Sequence, residues 1–250
     1  MIKFFSSFFY FFNLIFVKKE VDVLFYYPQH FNRGVDNQNI LFQTLYKSCD
    51  INSKSYVVFE EPYRKCSQKR NNNTIPFDFL FYQIILLRKI GFSEQRIGEI
   101  FSNLFFRRFS CKNIIVLSQS LLEFFRFSVK DSTIFDLQHG IIHSKKDGYI
   151  ENGVINKRLA KNNINLLLYG GGFKNLLKAG DKSDYINNKC HVIGVSKINV
   201  SDLHTESNRN ILVSLQFTED HSENDNLILK DEIFIFVKDN PKHTFYLKHH

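Results

Sequence analysis

Two histidines of this chain follow segments that are typical of buried strands. Residues 133–137 are mostly β-branched, aromatic or aliphatic, and Gln138-His139-Gly140 comes directly after them. Ligands of open α/β sheets bind outside the carboxyl ends of the strands, so we expect His139 to face a cleft, at a turn that a Cβ on Gly140 would obstruct. An imidazole, with an ordinary pKa of about 6.5, can act there as a general base. The alternative is a loop histidine that satisfies a hydrogen bond.

The second histidine, His30, lies in the loop after the apolar run 21–27. Arg33 belongs to the same loop, and its position predicts that both side chains lie at the edge of the sheet that carries His139. An ordinary loop histidine is again the alternative, because the sequence names no partner for His30.

The composition limits the classes of partner. A net charge of +8 favours polyanions, anionic lipid surfaces or phosphorylated small molecules. The basic residues are scattered in short runs without a zinc-finger, RRM or basic-zipper pattern, so we expect no nucleic-acid partner. The four cysteines are far apart in the sequence, which indicates reduced thiols and a cytoplasmic protein rather than disulfides or a metal cluster.

An apolar segment, residues 1–17, opens the chain and is predicted to form an amphipathic helix. Its polar residues recur every three to four positions and would form one narrow stripe. These residues are Lys3, Ser6, Ser7, Tyr10 and Asn13. The segment is shorter than the roughly 20 residues that a membrane-spanning helix needs, and no small-residue cleavage site follows it. A helix in the membrane interface, with Lys18 and Lys19 near the headgroups, and a helix packed on the core are both compatible with the pattern.

Strand-like and helix-like segments alternate over residues 18–197, which predicts an α/β domain with a mainly parallel, doubly wound sheet. The predicted strands are 21–27, 55–59, 112–117, 133–137, 165–169 and 189–195. The predicted helices are 37–49, 75–109 with a break near Gly91, 120–128 and 173–179. Residues 63–74 and 145–156 are predicted to be exposed loops, and we expect the acidic pair Glu60-Glu61 to be solvated.

The last part of the chain is predicted to begin a second domain. Polar residues 198–209 are expected to form a hinge, and residues 210–250 contain a strand, a helix and a strand that form one βαβ unit. One such unit is too small to bury a core, because domains rarely have fewer than about 50 residues. We therefore expect residues 210–250 to be the truncated start of a second Rossmann-like domain.

The order of these motifs resembles that of GT-B glycosyltransferases of bacterial surface-polysaccharide synthesis. That group includes capsule and lipopolysaccharide sugar transferases and is related to CDP-glycerol-type glycerophosphotransferases. The resemblance rests on the apolar N-terminal helix, Gln138-His139-Gly140, the turn Tyr169-Gly170-Gly171, residues 190–194, the strand 211–216 and Lys248-His249-His250 at a strand end.

The resemblance implies a fold of two Rossmann-like domains that face each other. Residues 18–197 would bind the acceptor, a growing polysaccharide or a lipid-linked molecule, on the cytoplasmic side of the cell membrane. His139 would be the catalytic residue, with the acceptor-side candidates His30, Arg33, Gln138 and Gly140 around it. The donor-side candidates Lys248, His249, Gln216 and Thr218 would hold the phosphates of a nucleotide-sugar. No cofactor and no metal is implied, in keeping with the lack of an Asp-x-Asp motif.

Two other functions are compatible with the sequence. The chain could transfer a polyol phosphate from a CDP-linked donor, or it could be an inactive truncated remnant or a membrane-associated scaffold. Since most of the donor-side domain would be missing, we expect residues 1–250 alone to have no useful transferase activity.

Overall fold

The structure, a computed structural model, describes residues 2–63, 66–143, 148–194, 210–214 and 222–248. The chain divides into two compact units, Met1–Ser196 and Lys197–His250. Strands and helices alternate in both, which confirms the predicted α/β class. The predicted hinge, residues 198–209, lies outside the described residues.

The first unit is built on a parallel sheet. Its strands are β1 (Lys19–Pro28), β2 (Tyr56–Glu61), β3 (Ile75–Pro76), β4 (Phe109–Leu117), β5 (Thr133–Leu137), β6 (Ile150–Glu151), β7 (Val154–Ile155), β8 (Asn165–Leu168) and β9 (Cys190–Val192). Within the described ranges, seven of them form one sheet in the Rossmann-like order β3-β2-β1-β4-β5-β8-β9. All neighbours in this sheet are parallel, while β6 and β7 form a separate antiparallel hairpin.

Helices cover both faces of the sheet. They are α1 (Ile2–Phe16), α2 (Gln43–Ile51), α3 (Asp78–Lys89), α4 (Glu94–Leu104), α5 (Leu122–Ser128), α6 (Lys157–Lys161), α7 (Gly171–Ala179) and α8 (Tyr185–Lys189). The interior strand β1 shows why both faces need cover. Leu24 and Tyr26 point to one face of the sheet, into the larger hydrophobic cluster, to which all of these helices except α2 contribute side chains. Phe25 and Tyr27 point to the other face, into a smaller cluster that α2 covers. All four side chains are fully buried, as expected for a parallel strand in the middle of a sheet.

The N-terminal helix α1 packs on the core. Phe11 and Leu14 are buried, and the ring of Phe11 lies 5.2 Å from that of Phe59 on β2. The predicted polar stripe is not the exposed face, because Ser7 is fully buried and its Oγ accepts a hydrogen bond of 3.0 Å from the backbone N–H of Phe79. No helix among the described residues combines the length and the apolar character needed to cross a bilayer.

The sequence prediction differs from the structure mainly at short elements. Residues 75–76, predicted to begin a helix, pair with β2 instead, with Ile75 opposite Phe59. The hairpin β6–β7 lies in a predicted loop, and α6 and α8 were not predicted. Elements of two to five residues are shorter than the window over which a hydrophobic period can be recognised. The predicted break of the long helix near Gly91 is confirmed, since α3 ends at Lys89 and α4 begins after Ser93.

The second unit contains β10 (Asn210–Ser214), α9 (Glu223–Asp239) and β11 (Thr244–Lys248). The two strands pair in parallel, with Asn210 opposite Thr244, so the predicted βαβ unit is confirmed. Within the described residues it consists of two strands and one helix.

Candidate functional site

The strand order places a candidate site above β1 and β4. The chain moves outward from β1 to β2 and β3, and then resumes at β4 on the other side of β1. Such a reversal opens a crevice at the carboxyl ends of the two strands, where open α/β sheets bind ligands. The loops after β1, β4 and β5 therefore surround the candidate site.

Two imidazoles of this edge lie against one buried ring. The ring of His139, after β5, is 5.5 Å from the ring of Phe31, and the ring of His30 is 4.1 Å from it on the same loop. Phe31 is buried, whereas both histidines are only partly buried. The structure thus brings together the two histidines that the sequence predicts at strand ends.

The environment of His30 favours a neutral imidazole. Its ring packs on Tyr63 at 4.5 Å, and its carbonyl oxygen accepts a hydrogen bond of 3.2 Å from Nε of Arg33. Burial, together with the positive charge of Arg33, lowers the pKa of His30. Among the described residues, Nδ1 of His30 has no hydrogen-bond partner. A neutral imidazole has one nitrogen that can accept a hydrogen bond. The exposed guanidinium of Arg33 lies 5.8 Å from the ring of Phe31.

Gln138 positions the loop that carries His139. It is buried, its Nε2 donates to the carbonyl oxygen of Gly140 at 2.7 Å, and its Oε1 accepts from the backbone N–H of Tyr169 at 2.9 Å. The amide therefore links the ends of β5 and β8 and fixes the backbone on either side of His139. Gly140 itself is exposed, and a Cβ added to it would meet no atom within 4 Å. The expectation that this turn requires glycine was wrong.

A strained loop after β4 completes this edge, and sequence reasoning missed it. Ser118, Gln119 and Leu121 have φ angles of 65°, 55° and 52°, a left-handed conformation that non-glycine residues rarely adopt. Such strain persists only where surrounding contacts hold it, and it is concentrated at functional sites. The sequence offers little signal, because no glycine or proline marks the turn.

Two buried carboxylates hold this loop. The backbone N–H of Gln119 donates to Oδ1 of Asp136 at 3.0 Å, and the hydroxyl of Tyr149 donates to Oδ2 at 2.8 Å. Ser120 donates through its Oγ to Glu61. Because Asp136 is fully buried, its pKa rises to about 7, and burial likewise raises the pKa of Glu61.

The acidic pair at the end of β2 is buried, so the prediction that it is solvated was wrong. Glu60 forms an ion pair with Nε of Arg70, and Nη2 of the same guanidinium contacts Oδ2 of Asp78 at 2.6 Å. Oε2 of Glu60 accepts a hydrogen bond of 3.0 Å from Nδ2 of Asn32, in the loop that carries His30. A buried carboxylate needs such partners, since an isolated buried charge is very costly. Glu60 and Glu61 therefore fix the loops around the site.

Two cavities lie beside these loops. An apolar cavity of about 300 Å³ borders the ends of β5, β8 and β9. It is lined by Leu41, Thr44, Leu45, Leu137, Tyr169, Ile193 and Gly194. A polar cavity of about 460 Å³ lies between α2, β2 and residues 71–74, and its lining includes Tyr46, Tyr56 and Asn71.

The remaining predicted site residues belong to the second unit. Lys248 is the last residue of β11, whereas Gln216, Thr218 and His249 lie outside the described residues. In the part of the chain that the structure describes, no group of three His, Cys, Asp or Glu side chains could hold a metal ion.

A comparison with the known protein families found no match. Comparisons with curated proteins and with solved structures found none either.

Proposed function

We propose that the first unit is the acceptor-side half of a GT-B glycosyltransferase, which moves a sugar from a nucleotide-sugar to a cell-surface polysaccharide or a lipid-linked acceptor. The observation that carries the proposal is the partly buried imidazole of His139 at the end of β5, against Phe31 and beside the reversal in strand order. The Rossmann-like sheet is the architecture that this function needs. The same architecture supports many other reactions, so the site carries the argument.

The reaction needs a base next to the acceptor hydroxyl. As the acceptor oxygen forms its bond to the anomeric carbon, its proton passes to the imidazole of His139. The bond from the anomeric carbon to the diphosphate oxygen breaks, and the electron pair leaves with the nucleoside diphosphate. A positioned base of this kind accelerates reactions by about 10²–10⁴-fold.

The surrounding residues have supporting roles in this proposal. Gln138 holds the backbone on both sides of His139 through its two hydrogen bonds, because a base is effective only when its position is fixed. His30, whose pKa is lowered, remains neutral at neutral pH and can accept a hydrogen bond from a second acceptor hydroxyl. Lys248 and His249 would contribute positive charge to the leaving diphosphate.

The test uses the natural gene product that contains these 250 residues. Nucleotide release is measured with a panel of UDP-, CMP- and GDP-sugars and CDP-glycerol, and with acceptor extracted from the producing cells. We expect His139→Ala to lower turnover at least 100-fold, with nucleotide affinity unchanged in calorimetry. The matched control is His143→Ala, which removes an exposed imidazole from the same loop.

Three results would overturn the proposal. Full activity of His139→Ala would show that His139 is not the base. An absence of turnover with every donor would favour the inactive scaffold. Turnover with CDP-glycerol alone would show a polyol-phosphate transferase instead of a glycosyltransferase.

A further inference from the structure

The outer face of α1 is a row of exposed phenylalanine rings. Phe5, Phe9, Phe12 and Phe16 recur at four- and three-residue intervals, which places them on one side of the helix. Their exposed fractions are 51%, 65%, 46% and 61%. Single exposed apolar residues are common on protein surfaces, but a contiguous row of large rings marks an interaction site.

These rings are exposed on a helix that the core fixes in place. Phe11 and Leu14 are buried on the opposite side of α1, and Ser7 is held by the backbone N–H of Phe79. Neighbouring rings within α1 also contact one another, with Phe8 stacked on Phe12 at 5.7 Å and Phe12 against Phe16 at 5.3 Å. The row is therefore a preformed surface.

Helix α3 extends this apolar surface. The ring of Phe4 on α1 lies 6.4 Å from the ring of Tyr82 on α3, so the two helices meet at the edge of the row. Tyr82 and Leu86 on α3 and Ile90, which directly follows the helix, recur at four-residue spacing and are 49%, 52% and 62% exposed. We call Phe5, Phe9, Phe12, Phe16, Tyr82, Leu86 and Ile90 the apolar platform.

Positive charge flanks the apolar platform. Lys18 and Lys19 follow the last turn of α1, and the backbone N–H of Lys19 donates to the carbonyl oxygen of Arg108 at 2.9 Å, so Arg107 and Arg108 lie beside them. Lys89 precedes Ile90 at the end of α3. The sequence of α1 contains no acidic residue, and the only acidic residue of α3 is buried.

We infer that the apolar platform docks on the surface of an anionic phospholipid bilayer. Rings on one side of a helix, with lysine and arginine at its end, are the pattern by which helices lie in the membrane interface. Each cation near an anionic bilayer adds attraction. A second copy of the chain fits less well, because a symmetric contact would bring two sets of these cations together, with Glu20, the ion-pair partner of Lys18, as the acidic residue beside them. The inference does not depend on the proposed glycosyl transfer.

The first test measures apolar contact by co-sedimentation of the 250-residue chain with vesicles of phosphatidylcholine and phosphatidylglycerol in a 3:1 ratio. We expect Phe9→Ser/Phe16→Ser to weaken binding about 100-fold, since each substitution removes a half-exposed ring from the bilayer contact. The matched control is Phe234→Ser/Phe236→Ser, which removes two rings that are 59% and 51% exposed on α9. The control should bind as the parent does, and circular dichroism should show the same fold for all three.

The second test measures the contribution of charge. Arg107→Ala/Arg108→Ala should weaken binding about 25-fold, at about fivefold for each cation. The control Lys157→Ala/Lys161→Ala removes the same charge from exposed positions on α6 and should have a smaller effect. Binding should also weaken when salt is raised to 1 M or phosphatidylglycerol is omitted.

Three outcomes would overturn the inference. The first is a parent chain that does not bind the vesicles, and the second is undiminished binding of Phe9→Ser/Phe16→Ser. The third is a dimer of the parent that this variant dissociates without any change in vesicle binding, which would identify a second copy as the occupant.

Discussion

Three buried carboxylates at the site edge have different electrostatic partners. Glu60 is paired with the guanidinium of Arg70, which compensates the buried charge. Among the described residues, Glu61 accepts hydrogen bonds from two hydroxyls, and Asp136 accepts them from a hydroxyl and a backbone N–H. Neutral donors compensate a buried charge only in part, so burial raises the pKa values of both. The loop after β4 is therefore held by carboxyl groups that bind a proton at a higher pH than ordinary carboxylates do.

The raised pKa of Asp136 predicts a pH-dependent stability. Its pKa rises from 3.8 to about 7 on folding, so the folded state binds the proton more tightly than the unfolded state. The stability that this group confers is complete below about pH 4 and is lost as the pH rises to about 7. The total is about 4 kcal/mol, of which about 3 kcal/mol falls between pH 5 and 8.

Asp136→Asn should remove this dependence. Between pH 5 and pH 8 we expect the melting temperature of the parent to fall about 6–12 °C further than that of the variant. Thermal melts at both pH values measure the difference, and the exposed Asp50→Asn serves as the control. Parallel pH profiles of the parent and Asp136→Asn would contradict the prediction.

At the residue level, the sequence predicted the position of His139 but not the groups that support it. A polar residue directly after an apolar strand is a visible signal, and the structure places both His139 and His30 at such positions. Asp136 is enclosed in the apolar segment 133–137, and its partner Tyr149 lies 13 residues away within the predicted loop 145–156. Partners that meet only through folding leave no local pattern.

At the scale of elements, α4 and α5 pack so closely that their contact leaves no room for a side chain at Gly98 of α4. A Cβ on Gly98 of α4 would overlap the Cβ of Phe127 on α5 and would lie 3.1 Å from the carbonyl oxygen of Phe124. We expect Gly98→Ala to lower the free energy of unfolding by about 1–3 kcal/mol, because overpacking outweighs the gain in helix propensity of about 1 kcal/mol. Chemical denaturation measures this change.

The control for this prediction is Gly172→Ala on α7. Gly172 is exposed, and its added Cβ would meet no atom within 4 Å. This variant should gain about 0.5–1 kcal/mol through helix propensity alone. Equal effects of the two substitutions on the free energy of unfolding would show that the contact between α4 and α5 does not restrict the size of the side chain at position 98.

The elements themselves were largely predictable, because strands and helices of ordinary length repeat their apolar residues with recognisable periods. The orientation of α1 was not. Its sequence places polar residues on one stripe. In the structure, Ser7 is buried, with its hydroxyl hydrogen-bonded to the backbone N–H of Phe79, and Phe9 is exposed. Which side of an almost wholly apolar helix faces the core depends on contacts with α3 and the sheet, and these are set by the tertiary structure.

For the whole molecule, the alternation of elements predicted the class of fold, and the order of the strands came from the structure. Local sequence does not indicate that the strand order reverses, with β4 added on the side of β1 opposite to β2 and β3. That reversal brings the loops after β1, β4 and β5 together, and therefore decides which strand ends form the site. A site made from loops about 90 and 20 residues apart is a property of topology.

The first unit should fold without the second. All described members of the two buried hydrophobic clusters lie between Phe11 and Cys190. The described residues of the second unit form two paired strands and one helix, which are too little for independent stability. We expect a fragment of residues 1–194 to melt cooperatively within a few degrees of the main transition of the 250-residue chain. A peptide of residues 210–250 should show the circular dichroism of an unfolded chain. An unfolded fragment 1–194 would mean that burial within the first unit is insufficient, and a folded peptide would mean that the second unit has a core of its own.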